Sequence, residues 1–230
     1  MPQNKVYATC DEAVQDVFDG AVVLFGGFAA PGIPVNLIQA LLRRGTKSLT
    51  AVCNGATGDL RGFTDVSALV AAGQVAKLIA SFPVSGSPKQ VGAVEEMWRK
   101  GLLEVEIVPQ GTLVERMRAA GAGIGGFWVR TGIGTPFEEG KERRVFDGEE
   151  YILERPLHGD FAFVKAHKAD TFGNLVYRKA ARNYNPVIAT AARVTVAEVE
   201  EIVGPGELDA ELVATPQVYV DRLVEVGKRA

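Results

Sequence analysis

The run Gly26-Gly27-Phe28-Ala29-Ala30-Pro31-Gly32-Ile33-Pro34 is the densest stretch of special backbone in the chain. It follows the apolar segment Ala21-Val22-Val23-Leu24-Phe25 and precedes a helical pattern. Glycine tolerates left-handed φ and lets the backbone approach another group closely. A helix start presents unpaired N–H groups at the positive end of its dipole. The combination suits an anion: a phosphate, a carboxylate, or the oxyanion of an acyl transfer. A tight strand-to-helix turn that only packs has the same composition, and local physics leaves both readings open. Spacing removes three rivals. Gly26 and Gly27 are adjacent, so G-x-G-x-x-G is not met, and neither G-x-x-x-x-G-K-[ST] nor G-x-S-x-G occurs. His158 and His167 flank a predicted strand and read as surface or hydrogen-bonded groups, so no metal is expected. Cys10 and Cys53 form no C-x-x-C pair, which fits a reducing compartment, and Cys53 reads as a small core residue. Arg178, Lys179 and Arg182 form a basic run near a turn, read as a solvated or intersubunit face ahead of a phosphate contact.

The elements that must position the glycine loop alternate between helix and strand. Thr9-Cys10-Asp11-Glu12 predicts a capping box opening a helix that Gly20 stops. Ala21 to Phe25 is a strand buried on both faces. A helix with Pro34 in its first turn carries Leu37, Ile38, Leu41 and Leu42 and ends at Gly45. Further strands are expected at 49–53, 75–82 and 105–108, and helices at 65–72 and 88–100, the latter stopped by Gly101. Thr112-Leu113-Val114-Glu115 is a second capping box, for a helix closed by Gly121. Asp147-Gly148, between two β-like runs, predicts a hairpin. Strands are expected again at 160–166, 175–179 (after a Gly173-Asn174 turn) and 194–199. The fold class is therefore α/β: a mostly parallel sheet with helices on both faces plus an antiparallel hairpin extension. No linker or repeat divides residues 1–230, which read as one domain.

The composition supports this and excludes other classes. The 230 residues are 47% hydrophobic and 23% charged, ordinary for a globular chain with a sizeable core. A net charge of −3 offers no basic field for a nucleic-acid backbone. Met1 to Lys5 lacks the apolar run of a signal peptide, and apolar stretches break too soon to span a bilayer, so a cytoplasmic protein is expected.

Asp19-Gly20, Val23-Leu24-Phe25, Gly26-Gly27-Phe28, Gly32 and Pro34 together resemble the signature of family I CoA-transferases, and more narrowly the A (alpha) subunit of the two-subunit 3-oxoacid CoA-transferases. Pro109-Gln110-Gly111-Thr112-Leu113, Gly159-Asp160-Phe161-Ala162, 165–170, 173–179, Ala181-Arg182-Asn183-Tyr184-Asn185-Pro186 and Thr215-Pro216 continue the resemblance along nearly the whole chain.

The resemblance implies transfer of coenzyme A from a thioester to a carboxylate through a glutamyl-CoA thioester. Its attacking glutamate sits in a Ser-Glu-Asn-Gly segment of the B half. No Glu-Asn-Gly occurs in this chain, and Glu138 and Glu207 read as surface turns. The nucleophile is therefore expected on a partner B subunit, commonly in an A2B2 assembly, with the coenzyme A thioester as substrate and no permanently bound cofactor. The resemblance places Gly26, Gly27 and Phe28 at the oxyanion, and Gly27, Phe28, Ala29, Ala30, Pro31, Gly32 and Ile33 against coenzyme A. Asn54 matches the first residue of the family's Asn-Asn pair, and Gln110 follows another strand end. Both offer neutral donors and acceptors suited to fixing a carboxylate, or act as turn-forming amides. Ala29, Pro31 and Gly55 depart from the family pattern where the acyl chain should lie. The expected reaction joins succinyl-CoA or acetyl-CoA to a short 3-oxo acid such as acetoacetate. The runner-up is 3-oxoadipate, whose second carboxylate needs a cation, with Arg61 and Lys89 as candidates. A sugar-phosphate isomerase or sensing domain is the alternative from another class.

Overall fold

The computed structural model describes residues 5–87 and 89–227. The chain opens with β1 (Val6–Tyr7) and α1 (Cys10–Ala13), then alternates through β2 (Val22–Phe25), α2 (Val35–Arg44), β3 (Leu49–Gly55), α3 (Gly58–Arg61), α4 (Val66–Ala71), β4 (Val75–Phe82), α5 (Ala93–Arg99), β5 (Glu104–Ile107) and α6 (Gln110–Gly121). There follow β6 (Phe127–Val129), β7 (Arg143–Phe146), β8 (Glu149–Glu154), β9 (Gly159–Asp170), β10 (Leu175–Val176), α7 (Asn185–Thr190), β11 (Ala192–Val203) and β12 (Arg222–Glu225).

The main sheet runs β1-β12-β11-β9-β2-β3-β4-β5, every neighbour parallel, with β10 added antiparallel to β9. Successive residues of its strands feed two cores. Val23, Phe25, Ala51, Cys53, Leu78 and Ala80 face α1, α2 and α4. Leu24, Val52 and Ile79 face the opposite layer, with Leu113 and Met117 of α6 and Ile188 of α7. This two-sided burial is why the strands read as continuous apolar runs. β3 to β5 lie on one side of β2, and β9, β11 and β12 on the other. The glycine loop leaves β2 at its carboxyl end, at the crevice where strand order reverses, the place where open parallel sheets bind ligands.

The hairpin forms as expected. Asp147 (φ 53°) and Gly148 (φ 81°) turn β7 into β8, and β6 completes a small antiparallel sheet, order β6-β8-β7.

Several boundaries differ. Thr9 Oγ1 accepts the Glu12 N–H at 3.1 Å as a cap should, but α1 ends after Ala13. Gly20 (φ 86°) instead turns the chain into β2, its N–H bonded to the Lys47 carbonyl. Helix α5 starts at Ala93, whose N–H is taken by Asp59 Oδ2 at 2.7 Å; Pro88, the expected start, lies outside the described residues. Thr112 is no cap: Pro109 (φ −53°, ψ 136°) ends the preceding strand connection, α6 begins at Gln110, and Thr112 is buried within it. The strand expected at 175–179 stops at Val176, because a 3-10 turn takes over at Lys179–Arg182. β1, α3, β6, α7 and β12 are elements that the sequence pattern did not announce.

Candidate active site

The glycine loop is locked from beneath by one buried amide. Asn185, the first residue of α7, donates from Nδ2 to the Gly32 carbonyl at 3.0 Å and the Ala181 carbonyl at 2.8 Å, while its Oδ1 accepts the Lys165 N–H at 3.0 Å. A Cβ on Gly26 would sit 1.9 Å from that Oδ1, and one on Gly32 (φ 75°) 2.6 Å from the Ala181 carbonyl. Gly27 is in the left-handed region at φ 104°, with Ile33 Cγ1 2.5 Å from where a Cβ would be. These three glycines are thus demanded by close approach.

Within the loop, the Gly26 N–H donates to the Phe163 carbonyl at 2.9 Å and the Phe28 N–H to the Pro31 carbonyl at 3.1 Å. The Gly27 N–H has no protein partner among the described residues.

The start of α2 is not open to a ligand. Glu198 of β11, fully buried, accepts the N–H groups of Asn36 (2.7 Å) and Leu37 (3.0 Å) on Oε2, and Asn36 Nδ2 on Oε1 (3.1 Å). The anion at that helix start is the chain's own, which corrects the reading of it as a free anion site. Burial raises the Glu198 pKa against the opposing pull of Lys165, whose Nζ lies 3.5 Å from Oε1. The start of α6 carries no side-chain cap, and its Gln110, Gly111 and Thr112 line a cleft of about 420 Å³ with Phe28 and Tyr184.

Three polar groups meet beside this cleft. Asn54 Oδ1, near the carboxyl end of β3, accepts Gln110 Nε2 at 2.7 Å and the Tyr184 hydroxyl at 3.0 Å. Two donors on one oxygen fix the carboxamide orientation, leaving Nδ2 as its free donor. Burial raises the Tyr184 pKa to about 12, so its hydroxyl stays a donor at physiological pH. The Tyr184 ring stacks on Phe28 with centroids 6.4 Å apart. Phe28, 44% exposed, forms a shared wall between the Gln110 cleft and a second of about 370 Å³ lined by Ala29, Asn54, Gly55, Thr57, Arg61, Phe63, Asp65, Phe82 and Val84. A cavity of about 10 Å³, the size of one water, separates Gly26, Gly27, Ala29 and Ile33 from Asn54.

Gly26, Gly27, Phe28, Ala29, Ile33, Asn54 and Gln110 are therefore brought together. Ala30, Pro31 and Gly32 line none of these spaces: Ala30 and Pro31 are exposed, and the Pro31 and Gly32 carbonyls serve the loop's internal bonds. Tyr184, Asn185 and Glu198 were not singled out from sequence. The first two lie in a segment that carried the family resemblance, which was their only signal. Of the other residues weighed, Arg178 pairs with Glu200 at 2.5 Å and His167 Nδ1 meets the same carboxylate at 3.0 Å, while both cysteines are buried free thiols.

Residues 7–226 match the family model for coenzyme A transferase. The chain belongs to the coenzyme A transferase family. It is 45% identical over 227 residues to the A subunit of the 3-oxoadipate CoA-transferase of Pseudomonas putida, covering 99% of this chain and 96% of that one. It is 44% identical to the A subunit of the succinyl-CoA:3-ketoacid coenzyme A transferase of Helicobacter pylori J99, covering 98% and 94%. An acyl-CoA transferase of Escherichia coli O157:H7, solved as a thioester complex with CoA, shares the fold at TM-score 0.82 and 22% identity over 98% of this chain and 48% of that one. This CoA-transferase chain is thus of the A-subunit type, and the sugar-phosphate readings are set aside. No helix among the described residues is long and apolar enough to cross a membrane.

Proposed function

We propose that this chain is the A subunit of a cytoplasmic A2B2 CoA-transferase that exchanges coenzyme A between succinyl-CoA or acetyl-CoA and a short 3-oxo acid such as acetoacetate. The reading is carried by the Asn54 carboxamide, held by Gln110 and Tyr184 beside the glycine loop, in clefts whose own carboxylates are engaged. Asp65 accepts the Gly58 N–H on one oxygen and the Ser67 N–H and hydroxyl on the other. Glu115 lies on the exposed side of α6 beside Arg118. Asp65 is therefore not free to attack a thioester.

The attacking glutamate then belongs to the B subunit. Its carboxylate adds to the donor's thioester carbonyl, the oxyanion collapses with loss of coenzyme A thiolate, and a mixed anhydride remains. The thiolate attacks the glutamyl carbonyl, releasing the donor acid and leaving glutamyl-CoA, from which the acceptor acid takes coenzyme A by the reverse steps. Asn54 Nδ2 and the Gly27 N–H supply fixed donors where negative charge develops, and losing such a donor costs about 10²–10³ in rate. Phe28 excludes water from the anhydride. A second reading, with 3-oxoadipate as acceptor, is favoured by the name of the Pseudomonas relative.

The test is reconstitution with the chain that carries Ser-Glu-Asn-Gly, followed by assay with succinyl-CoA against acetoacetate and 3-oxoadipate. Transfer is expected from the complex and none from this chain alone, with hydroxylamine-sensitive CoA label on the partner. Label on this chain, or turnover without a partner, rejects the proposal.

A further inference from the structure

The two long helices among the described residues begin differently. At the start of α2 the chain supplies its own anion, Glu198. At the start of α6 it supplies none. Pro109 precedes the helix, no side chain caps it, and Leu113 makes its first backbone bond, donating to the Pro109 carbonyl at 2.9 Å. The N–H groups of Gln110, Gly111 and Thr112 have no partner among the described residues. They stand at the positive end of the helix dipole, in the wall of the 420 Å³ cleft.

A side chain points to the same place. Thr112 is only 4% exposed and lines this cleft, yet its hydroxyl makes no hydrogen bond among the described residues. The buried side-chain atoms sealed away without a partner there are Ser81 Oγ and Lys165 Nζ. The Thr112 hydroxyl is not one of them, so it opens to the cleft. A buried hydroxyl is costly to leave unpaired, and a ligand in the cleft completes it. Gly111 leaves the approach clear, because a Cβ there would meet no atom within 4 Å.

The donors are all neutral, and no lysine or arginine among the described residues lines the cleft. A doubly charged phosphate would lack a counter-charge, whereas a singly charged carboxylate is matched by N–H and hydroxyl donors. Glu115, the acid beside this cleft, is paired with Arg118 at 3.2 Å. Phe28, Val114 and Val129 give the cleft apolar walls for a short carbon chain. Gln110 ties the place to the reaction: its backbone opens α6 while its Nε2 holds Asn54 at 2.7 Å.

We infer that the start of α6, together with the Thr112 hydroxyl, binds the carboxylate of the acid substrate. The inference rests on the CoA-transfer reading above and gives the acid its place within that site. One carboxylate oxygen takes the donors of α6, and the other stays free to face the glutamyl thioester beside Asn54.

The test is equilibrium titration of the reconstituted two-chain enzyme with acetoacetate, with inorganic phosphate and with free coenzyme A, each alone so that no transfer occurs. Thr112→Val, which keeps the shape and drops the hydroxyl, is expected to weaken acetoacetate about tenfold or more, the scale of one hydrogen bond to a charged group, while coenzyme A changes less than about twofold. Thr112→Ser, which keeps the hydroxyl, should stay within about threefold of wild type for acetoacetate. The melting temperature of the valine variant should not fall, because the hydroxyl it removes holds nothing in the fold. Should that variant not assemble, Thr112→Ala against Thr112→Ser makes the same comparison. Unchanged acetoacetate affinity in Thr112→Val, a loss as large in Thr112→Ser, an equal loss of acetoacetate and coenzyme A, or phosphate bound more tightly than acetoacetate overturns the inference. If the wild-type complex still transfers coenzyme A, such a result removes this inference alone. A complex that transfers none from any acyl-CoA overturns the CoA-transfer reading and the inference with it.

Discussion

Two residues of the glycine loop share left-handed backbone space but differ in what a side chain would meet there. Gly27 at φ 104° has Ile33 Cγ1 2.5 Å and Ile33 N 2.9 Å from its missing Cβ, so the loop can take no side chain there. Ala29 at φ 52° is exposed and adopts a conformation that costs an L-residue about 1–2 kcal/mol. Gly27→Ala should therefore destabilise the chain by about 2 kcal/mol or more and cut turnover of the assembled enzyme sharply, since the Gly27 N–H moves with the loop. Ala29→Gly should stabilise it, by less than about 1 kcal/mol, because the relieved strain is partly offset by the freer unfolded chain. Urea unfolding of both variants, with turnover of their complexes, checks the pair. A destabilised Ala29→Gly would mean that the Ala29 methyl contributes packing that outweighs its strain.

At the scale of elements, the glycine loop is fixed by what β11 sends beneath α2. Glu198 supplies three acceptor contacts to the start of α2 and lies against Lys165 of β9, whose buried Nζ has no hydrogen-bond partner. Removing the charge on one partner strands the other, so Glu198→Gln should cost about 3 kcal/mol or more. The double variant Glu198→Gln with Lys165→Met should cost clearly less than the two single losses added, which a double-mutant cycle by urea unfolding measures. Additive losses would show that Lys165 and Glu198 act independently. This pair also shows what a sequence conceals. The parallel strands were legible because burial on both faces writes itself as unbroken apolar runs, and the glycine loop because close backbone approach demands glycine. Glu198 is one polar residue in the β-branched run Val194–Val199, and its partners lie 161 and 162 residues away. Tyr184 reaches Asn54 across 130 positions with no spacing rule to announce it. Helix α7, six residues opening on Asn-Pro, and the four-residue strand β12 are too short for a period to declare them, and long-range contacts hold both. Thr112 misled for a related reason: a capping box is a local pattern, and the packing of α6 buried the threonine instead.

Over the whole molecule, the first and last strands of the described residues lie side by side at one edge of the sheet. β12 is flanked by β11 and β1, and Arg222 on β12 binds Asp16 through two contacts of 2.6 Å, donates to the Ala13 carbonyl at 2.7 Å and covers the Tyr7 ring at 5.6 Å. The Arg222 hydrogen bond holds the Asp16 carboxyl below its usual range. A carboxylate depressed in the folded state contributes stability that is present above its unfolded pKa and is lost as pH falls through its folded value. Burial pushes Asp65 the other way. It takes up a proton in the folded chain before the unfolded one does, so its contribution improves as pH falls and resists acid unfolding. The surface clamp therefore creates acid sensitivity and the buried Asp65 opposes it. Arg222→Met should lower the urea midpoint at pH 7, where Asp16 is charged in both states. Its difference from wild type should narrow as pH falls below about 4, the ordinary range for an aspartate. Urea midpoints of the two proteins across that range test this. A gap that stays constant with pH would mean that Arg222 acts through its contacts with Ala13 and Tyr7, and that the tie between β12 and residues 7–16 is one of packing rather than charge.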